Sequence, residues 1–281
     1  MHKGLIAGLF LAVGGFSWAA GYDDFTRAAA LRQVGSLEQA LASYTAALNA
    51  GDLAPAYVPV AYVGRAEIYL QTGKCASAQT DADAALKLRP GAIDVLRLRA
   101  RANDCLGKKD AALADLDTMV ASEPSARMYA ERGSFKWFQG QFVEAAKDYD
   151  KAVSLHKEHD YDWRSPTYAL VWYAIAANRV QSVNAADLAA KARNFDLDDW
   201  PGPLVSFFLG KMTPEKLYRE AADGKGDVPK DQKCEADFFT AEWKLASDGA
   251  AAKAQLQAVM DGCPKTLLVV RAARTDLRRI P

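Results

Sequence analysis

Cysteine, histidine and arginine are the residues of this sequence whose spacing suggests chemistry. His156 and His159 lie three residues apart in HKEHDYD, with acidic residues beside them, which is compatible with a metal site. Arg97 and Arg101 lie one helical turn apart and could bind one carboxylate together. Four cysteines permit three disulfide pairings; they are Cys75, Cys105, Cys234 and Cys263.

Catalysis has little support in these residues. A nucleophilic serine or cysteine needs a histidine that a third group orients, and after residue 19 only His156 and His159 are available. We interpret HKEHDYD as a solvated helix end, where a cationic side chain favours the helix dipole, with metal binding as the alternative. GKGD (224–227) lacks the Walker spacing and is interpreted as a surface turn. We therefore predict no enzyme, no cofactor and no metal.

Composition indicates one or two globular domains. The chain has 281 residues, of which 50% are hydrophobic and 25% charged. Lysine and arginine number 35, as do aspartate and glutamate, so the formal net charge is zero. This balance argues against a nucleic-acid or membrane-surface binder.

The N-terminus has the pattern of a secretory signal peptide. A basic residue, Lys3, precedes an apolar run, and small residues flank Trp18, which predicts residues 1–19 as a signal peptide cleaved after Ala19. A membrane anchor is the alternative, although the run is shorter than the roughly 20 residues that a spanning helix needs. We expect secretion across the inner membrane into the periplasm, no membrane span after cleavage, and oxidising conditions in which cysteines pair.

A repeated spacing organises the chain up to residue 155. Four glycines follow helical stretches at intervals of 38, 34 and 33 residues, and an alanine stands five residues after each of them. Small residues on one helix face allow a second helix to approach closely, so each unit is predicted to be a helical hairpin. The glycines are Gly35, Gly73, Gly107 and Gly140, and the alanines are Ala40, Ala78, Ala112 and Ala145.

This pattern resembles the tetratricopeptide repeat (TPR) family, most clearly in QGQFVEAAKDYDKAVSL (139–155). The order of C-terminal segments, from WPGP (200–203) to the final helix with DLRRI, resembles exported bacterial TPR proteins of the NlpI-like group. The resemblance implies an all-α helical-hairpin solenoid with a C-terminal helical cap. We expect about four repeats in residues 20–155 and divergent helical repeats with a capping helix in residues 156–281.

Hairpin topology favours one disulfide pairing. Cys75 opens the second helix of one unit and Cys105 ends the first helix of the next, so both lie at the same edge of neighbouring repeats. Cys234 begins a helix and Cys263 ends its antiparallel partner. We predict the pairs Cys75–Cys105 and Cys234–Cys263, with zinc binding and reactive thiols as alternatives.

The TPR frame also predicts a peptide-binding groove lined by the first helix of each unit. Arg97 and Arg101 would bind a carboxylate while Trp137 covers an apolar side chain; alternatively, the arginines pair with nearby acids such as Asp94 and Asp104. The predicted groove residues are Glu67, Asp94, Arg97, Arg101, Arg127, Ser134 and Trp137.

The predicted function is a non-enzymatic periplasmic adaptor that binds cell-envelope proteins or peptides. The resemblance to the NlpI-like group implies such partners, and stacked repeats are also compatible with a homodimer. The alternative is a periplasmic accessory protein that binds a small ligand or a metal.

Overall fold

The computed structural model describes residues 20–156, 166–180, 183–223 and 228–280. These residues form fifteen α-helices and no strand. The helices are α1 (Ala20–Gln33), α2 (Leu37–Asn49), α3 (Val58–Gln71), α4 (Cys75–Leu88), α5 (Ile93–Cys105), α6 (Lys109–Ser122), α7 (Ala126–Phe138), α8 (Phe142–Leu155), α9 (Thr167–Arg179), α10 (Ala185–Ala192), α11 (Gly202–Phe208), α12 (Pro214–Ala222), α13 (Val228–Lys244), α14 (Gly249–Gly262) and α15 (Leu268–Leu277).

The chain divides into two compact units, Met1–Asp115 and Leu116–Pro281, here called unit 1 and unit 2. The division falls inside α6, whereas the sequence predicts a boundary after residue 155, which stays a prediction. The proposed signal peptide, most of HKEHDYD and GKGD lie outside the described residues. No described helix is long and apolar enough to cross a bilayer.

A single type of turn closes the repeated hairpins. Each of the four glycines used to find the repeat has a positive φ, between 73° and 77°. The residue after it donates a backbone hydrogen bond to a carbonyl five residues earlier, as Lys74 does to Tyr69 at 2.8 Å. This is the glycine-terminated helix end in which only a residue without Cβ adopts the left-handed conformation without strain. The same turn recurs at Gly210, between α11 and α12 (φ 68°).

Alanines fill the core of unit 1. Ala78, Ala82 and Ala85 of α4 are fully buried, together with Ala66 of α3. Because these side chains end at Cβ, α3 and α4 approach closely without leaving a void. The largest fully buried side chain in this unit is Ile68. Close helix approach thus replaces bulky core residues here.

Buried Arg–Asp pairs join the two helices of successive hairpins. In each pair the aspartate lies sixteen residues after the arginine and is at most 4% exposed. The arginines also recur at 34 and 33 residues, the period of the repeat. Our sequence analysis considered small residues and missed this signal. The pairs are Arg65–Asp81 (2.8 Å), Arg99–Asp115 (2.6 Å) and Arg132–Asp148 (2.6 Å).

Aromatic side chains dominate the core of unit 2. Trp172 packs edge-to-face on Phe239 and on Trp137, with ring centroids 5.2 Å apart in both contacts. Phe238 is fully buried and lies 5.1 Å from Phe239, centroid to centroid. These residues belong to α7, α9 and α13, and α15 contacts both α13 and α14. A continuous aromatic and aliphatic cluster therefore holds these helices together.

Both predicted cysteine pairs lie at disulfide distance. Cys75 pairs with Cys105 in unit 1 and Cys234 with Cys263 in unit 2, and the Cα–Cα distance is 6.0 Å in each. In unit 1 the bridge links the start of α4 to the end of α5, and in unit 2 it links α13 to the residue after α14. Each unit thus carries one cross-link between helices.

Candidate functional site

Unit 2 contains a cavity of about 420 Å3 where surfaces of α7, α9 and α13 meet the start of α15. Glu131 and Ser134 line it from α7, Tyr168 and Trp172 from α9, and Glu235 from α13. Two of these helices, α7 and α9, are first helices of hairpins in the TPR frame. The cavity is the best-formed candidate for a binding site on the face where the sequence predicts one.

The floor of the cavity is aromatic. Trp172 and Tyr149 stack with ring centroids 6.1 Å apart, and Phe239 packs edge-to-face on Trp172. Burial raises the pKa of the Tyr149 hydroxyl, although a hydrogen bond with Ser134 lowers it. Tyr149 is therefore neutral at physiological pH, and the floor presents rings rather than charge.

Two carboxylates stand at the polar part of the cavity. One oxygen of Glu235, Oε2, accepts hydrogen bonds from the Tyr168 hydroxyl and the Trp200 indole N–H, both at 2.6 Å. On α7, Arg127 donates to Glu131 at 3.0 Å. The sequence analysis missed Glu235, Tyr168 and Trp200, because they are 35 to 67 residues apart and no local spacing relates them.

The groove residues predicted in unit 1 lie on the first helices α3 and α5. Glu67 forms an ion pair with Arg32 of α1, and Asp94 binds the guanidinium of Arg89 at 2.9 and 3.0 Å. Arg101 is exposed and Arg97 half-buried. Of the acids considered as alternative partners for the arginines, Asp94 thus pairs with Arg89.

Asp104, the other acid considered as an alternative partner, pairs with Lys109 at 2.5 Å. The local ion pairs of Asp94 and Asp104 therefore involve cations other than the arginine pair that was predicted to bind a carboxylate. A joint role of Arg97 and Arg101 stays a prediction.

Unit 2 keeps two of its three predicted groove residues at an accessible position. Ser134 lines the cavity and Arg127 reaches its edge through Glu131. Trp137 differs: it is 0% exposed, packs on Phe142 and Trp172, and so cannot cover a ligand side chain. Its large apolar surface is better buried than exposed, and the TPR frame did not reveal that α9 covers it.

A buried ionic cluster joins α9, α13 and α15. Arg179 donates two hydrogen bonds to Glu242, at 2.7 and 3.0 Å, and lies 3.5 Å from Asp276. Both acids are 0% exposed. Burial raises the pKa of Glu242 to about 8 although Arg179 opposes the shift, and burial likewise raises the pKa of Asp276. The cluster holds helices together and is not open to a ligand.

The histidine-rich segment is described only at its first residue. The ring of His156 stacks on Phe195, with centroids 5.1 Å apart. Across residues 20–156, 166–180, 183–223 and 228–280, no three His, Cys, Asp or Glu side chains are grouped as metal ligands. The metal-binding alternative has no described ligand set, and residues 157–162 of the motif lie outside those ranges.

Comparison with known proteins identifies a fold. No family model matches the chain, and no curated protein matches it. Among solved structures, a tetratricopeptide repeat protein from Parabacteroides merdae has 16% sequence identity, with 91% of this chain and 98% of that chain covered and a TM-score of 0.56. This chain has a tetratricopeptide-repeat fold.

A second structure supports the same assignment. The C-terminal part of a TPR repeat-containing protein from Cytophaga hutchinsonii has 17% identity and a TM-score of 0.54, with 88% of this chain and 98% of that chain covered. The all-α, TPR-type solenoid class predicted from the sequence is therefore confirmed. Identity at this level shows the fold alone, so the function must be argued from the residues.

Proposed function

We propose that this chain is an exported TPR adaptor that binds cell-envelope proteins or peptides on the first helices of its hairpins and does not transform them. The observation that carries the proposal is the cavity of unit 2. It opens beside α7 and α9, combines an aromatic floor with carboxylates, and accommodates a side chain rather than a whole metabolite. Arg97 and Arg101 on α5 are proposed as a second contact, with a partner carboxylate.

Three observations support export and envelope partners. Residues 1–19 have the pattern of a cleaved signal peptide. Both cysteine pairs lie at disulfide distance, which suits an oxidising compartment. The order of C-terminal segments resembles the NlpI-like group, whose members bind other envelope proteins, and a homodimer is compatible with this role. Intact mass of the periplasmic protein tests export, since cleavage after Ala19 predicts a chain that starts at Ala20.

Affinity capture from periplasmic extract tests the adaptor role. The bait is the mature chain, and mass spectrometry identifies retained proteins. We expect the wild type to retain specific envelope proteins and the double variant R97A/R101A to lose part of that set. The matched control is K87A/R89A, which removes two cations from the same unit without touching α5. Equal retention by R97A/R101A and wild type would reject the arginine contact, and no specific retention by wild type would reject the adaptor.

A further inference from the structure

The unit 2 cavity has an excess of negative charge. Glu131 and Glu235 both line it, and none of its described lining residues is a lysine, arginine or histidine. Arg127 offsets the charge of Glu131 through their ion pair. The two donors that Glu235 receives from Tyr168 and Trp200 are neutral, so they orient this carboxylate without cancelling its charge.

The orientation of Glu235 is well determined. Tyr168 and Trp200 come from different segments, α9 and the turn before α11, and converge on the same oxygen, Oε2. Two donors at 2.6 Å hold the carboxylate plane in one position. A ligand that contacts Glu235 therefore meets a charge that is already positioned, which reduces the entropic cost of binding.

The rest of the cavity is apolar. Trp172 and Phe239 form its wall on α9 and α13, and Leu268 at the start of α15 is 46% exposed beside it. An apolar wall next to a fixed carboxylate suits a side chain with an aliphatic stem and a cationic head. Aromatic faces also attract a cation, which adds to the same preference.

Other occupants fit less well. An acidic side chain would meet Glu235 as a like charge. A purely apolar side chain would bury the Glu235 carboxylate without supplying a counter-charge, which costs free energy. We propose that this cavity binds a lysine or arginine side chain of the partner protein, with the head at Glu235 and the stem on Trp172, Phe239 and Leu268. This inference rests on the proposed adaptor function and specifies the chemistry of one of its contacts.

Trp200 provides a reporter inside the site. Its indole N–H donates to Glu235, so a cation that binds the carboxylate will change the NMR shift of this N–H. The experiment titrates the 15N-labelled mature chain with capped peptides Ala-Ala-X-Ala-Ala, in which X is lysine, arginine, norleucine or glutamate. Norleucine keeps the aliphatic stem of lysine and lacks the charge. We expect the lysine and arginine peptides to bind about 5-fold or more tightly than norleucine, and glutamate to bind most weakly.

Glu235→Gln tests the assignment to this carboxylate. Glutamine retains a carbonyl oxygen for Tyr168 and Trp200, so the fold is preserved while the charge is lost, and circular dichroism verifies the fold. In this variant the lysine and norleucine peptides should bind within about 2-fold of each other. The matched control is Glu144→Gln, which removes an exposed carboxylate of α8 outside the cavity and should keep the full preference.

Three results would overturn the inference. They are equal binding of norleucine and lysine to the wild type, a lysine preference that persists in Glu235→Gln, and no shift of the Trp200 resonance with any peptide. None of them decides the adaptor function, which the capture experiment measures independently. Conversely, loss of all captured proteins with an intact lysine preference would reject the adaptor and leave the cavity's chemistry standing.

Discussion

Unit 1 and unit 2 solve the same packing problem with different residues. In unit 1, helices approach closely on alanines and are joined by Arg65–Asp81 and Arg99–Asp115. In unit 2, large rings such as Trp172 and Phe238 fill a thicker core, and the buried acids Glu242 and Asp276 lie within it. Alanine packing leaves little internal space, whereas packing of rings leaves irregular gaps at their edges. This difference explains why an aromatic-floored cavity occurs in unit 2.

The largest expected effect is on the core of unit 2. Phe238→Ala removes a fully buried ring that contacts Trp172 and Phe239, and should lower the free energy of unfolding by about 3–5 kcal/mol. Val143→Ala, at a residue 45% exposed in the same unit, is the control and should change it by less than about 0.5 kcal/mol. Chemical denaturation measures both. A small effect of Phe238→Ala would mean that the rings do not form a tight core.

The disulfides should contribute similarly to both units. Each closes a loop of 30 or 29 residues, for which restriction of the unfolded chain predicts about 3–4 kcal/mol. Denaturation of C75S/C105S and C234S/C263S, each against wild type, measures the two contributions. Thiol titration of the exported, denatured, non-reduced protein provides the check: four reactive thiols would show that neither bridge forms.

The Arg–Asp pairs of unit 1 are expected to matter more than surface ion pairs. Arg99→Ala leaves the nearly buried Asp115 without its bidentate partner and should cost about 2–3 kcal/mol. Arg89→Ala breaks an exposed pair with Asp94 and should cost less than about 1 kcal/mol. Equal costs in urea denaturation would show that the recurring pairs do not stabilise the hairpins.

The acid cluster of unit 2 should make stability depend on pH. Because the folded pKa of Glu242, about 8, exceeds its ordinary 4.5, the folded state binds more protons than the unfolded state between these values. Stability is therefore greatest below pH 4.5 for this group and is lost as pH rises through 8. We expect a loss of roughly 1 kcal/mol per pH unit from pH 6 to 7, since one proton sets the slope.

Glu242→Gln should flatten this pH profile, because glutamine mimics the protonated acid. Glu144→Gln, at an exposed position, is the control and should keep the wild-type slope. Stability that rises from pH 6 to 8 in the wild type would mean that Arg179 keeps Glu242 ionised in the folded protein.

The repeat made much of the fold predictable. Glycine at the hairpin turn and alanine at the close contact are dictated by backbone geometry, so Gly73 and Ala78 predict structure locally. Gly210 makes the same turn but was missed, since Glu215 rather than alanine stands five residues later. The Arg99–Asp115 pair had a periodic signal that could have been read.

The candidate site was less predictable because it depends on long-range contacts. Glu235 meets Trp200 and Tyr168 only after α9 and α13 pack together, and no spacing in the sequence encodes this. The groove prediction found Ser134 correctly placed at the cavity but put Trp137 on the surface. The frame that placed both residues describes a generic hairpin, and it lacks the neighbouring helix that buries Trp137.

Native mass spectrometry of the mature chain with its captured partner tests the central claim most directly. The account predicts a complex whose mass is the sum of the two unmodified chains, with the partner released at its original mass. A partner whose mass changes only when this chain is present, or the absence of any complex with an envelope protein, would contradict an adaptor that binds without transforming.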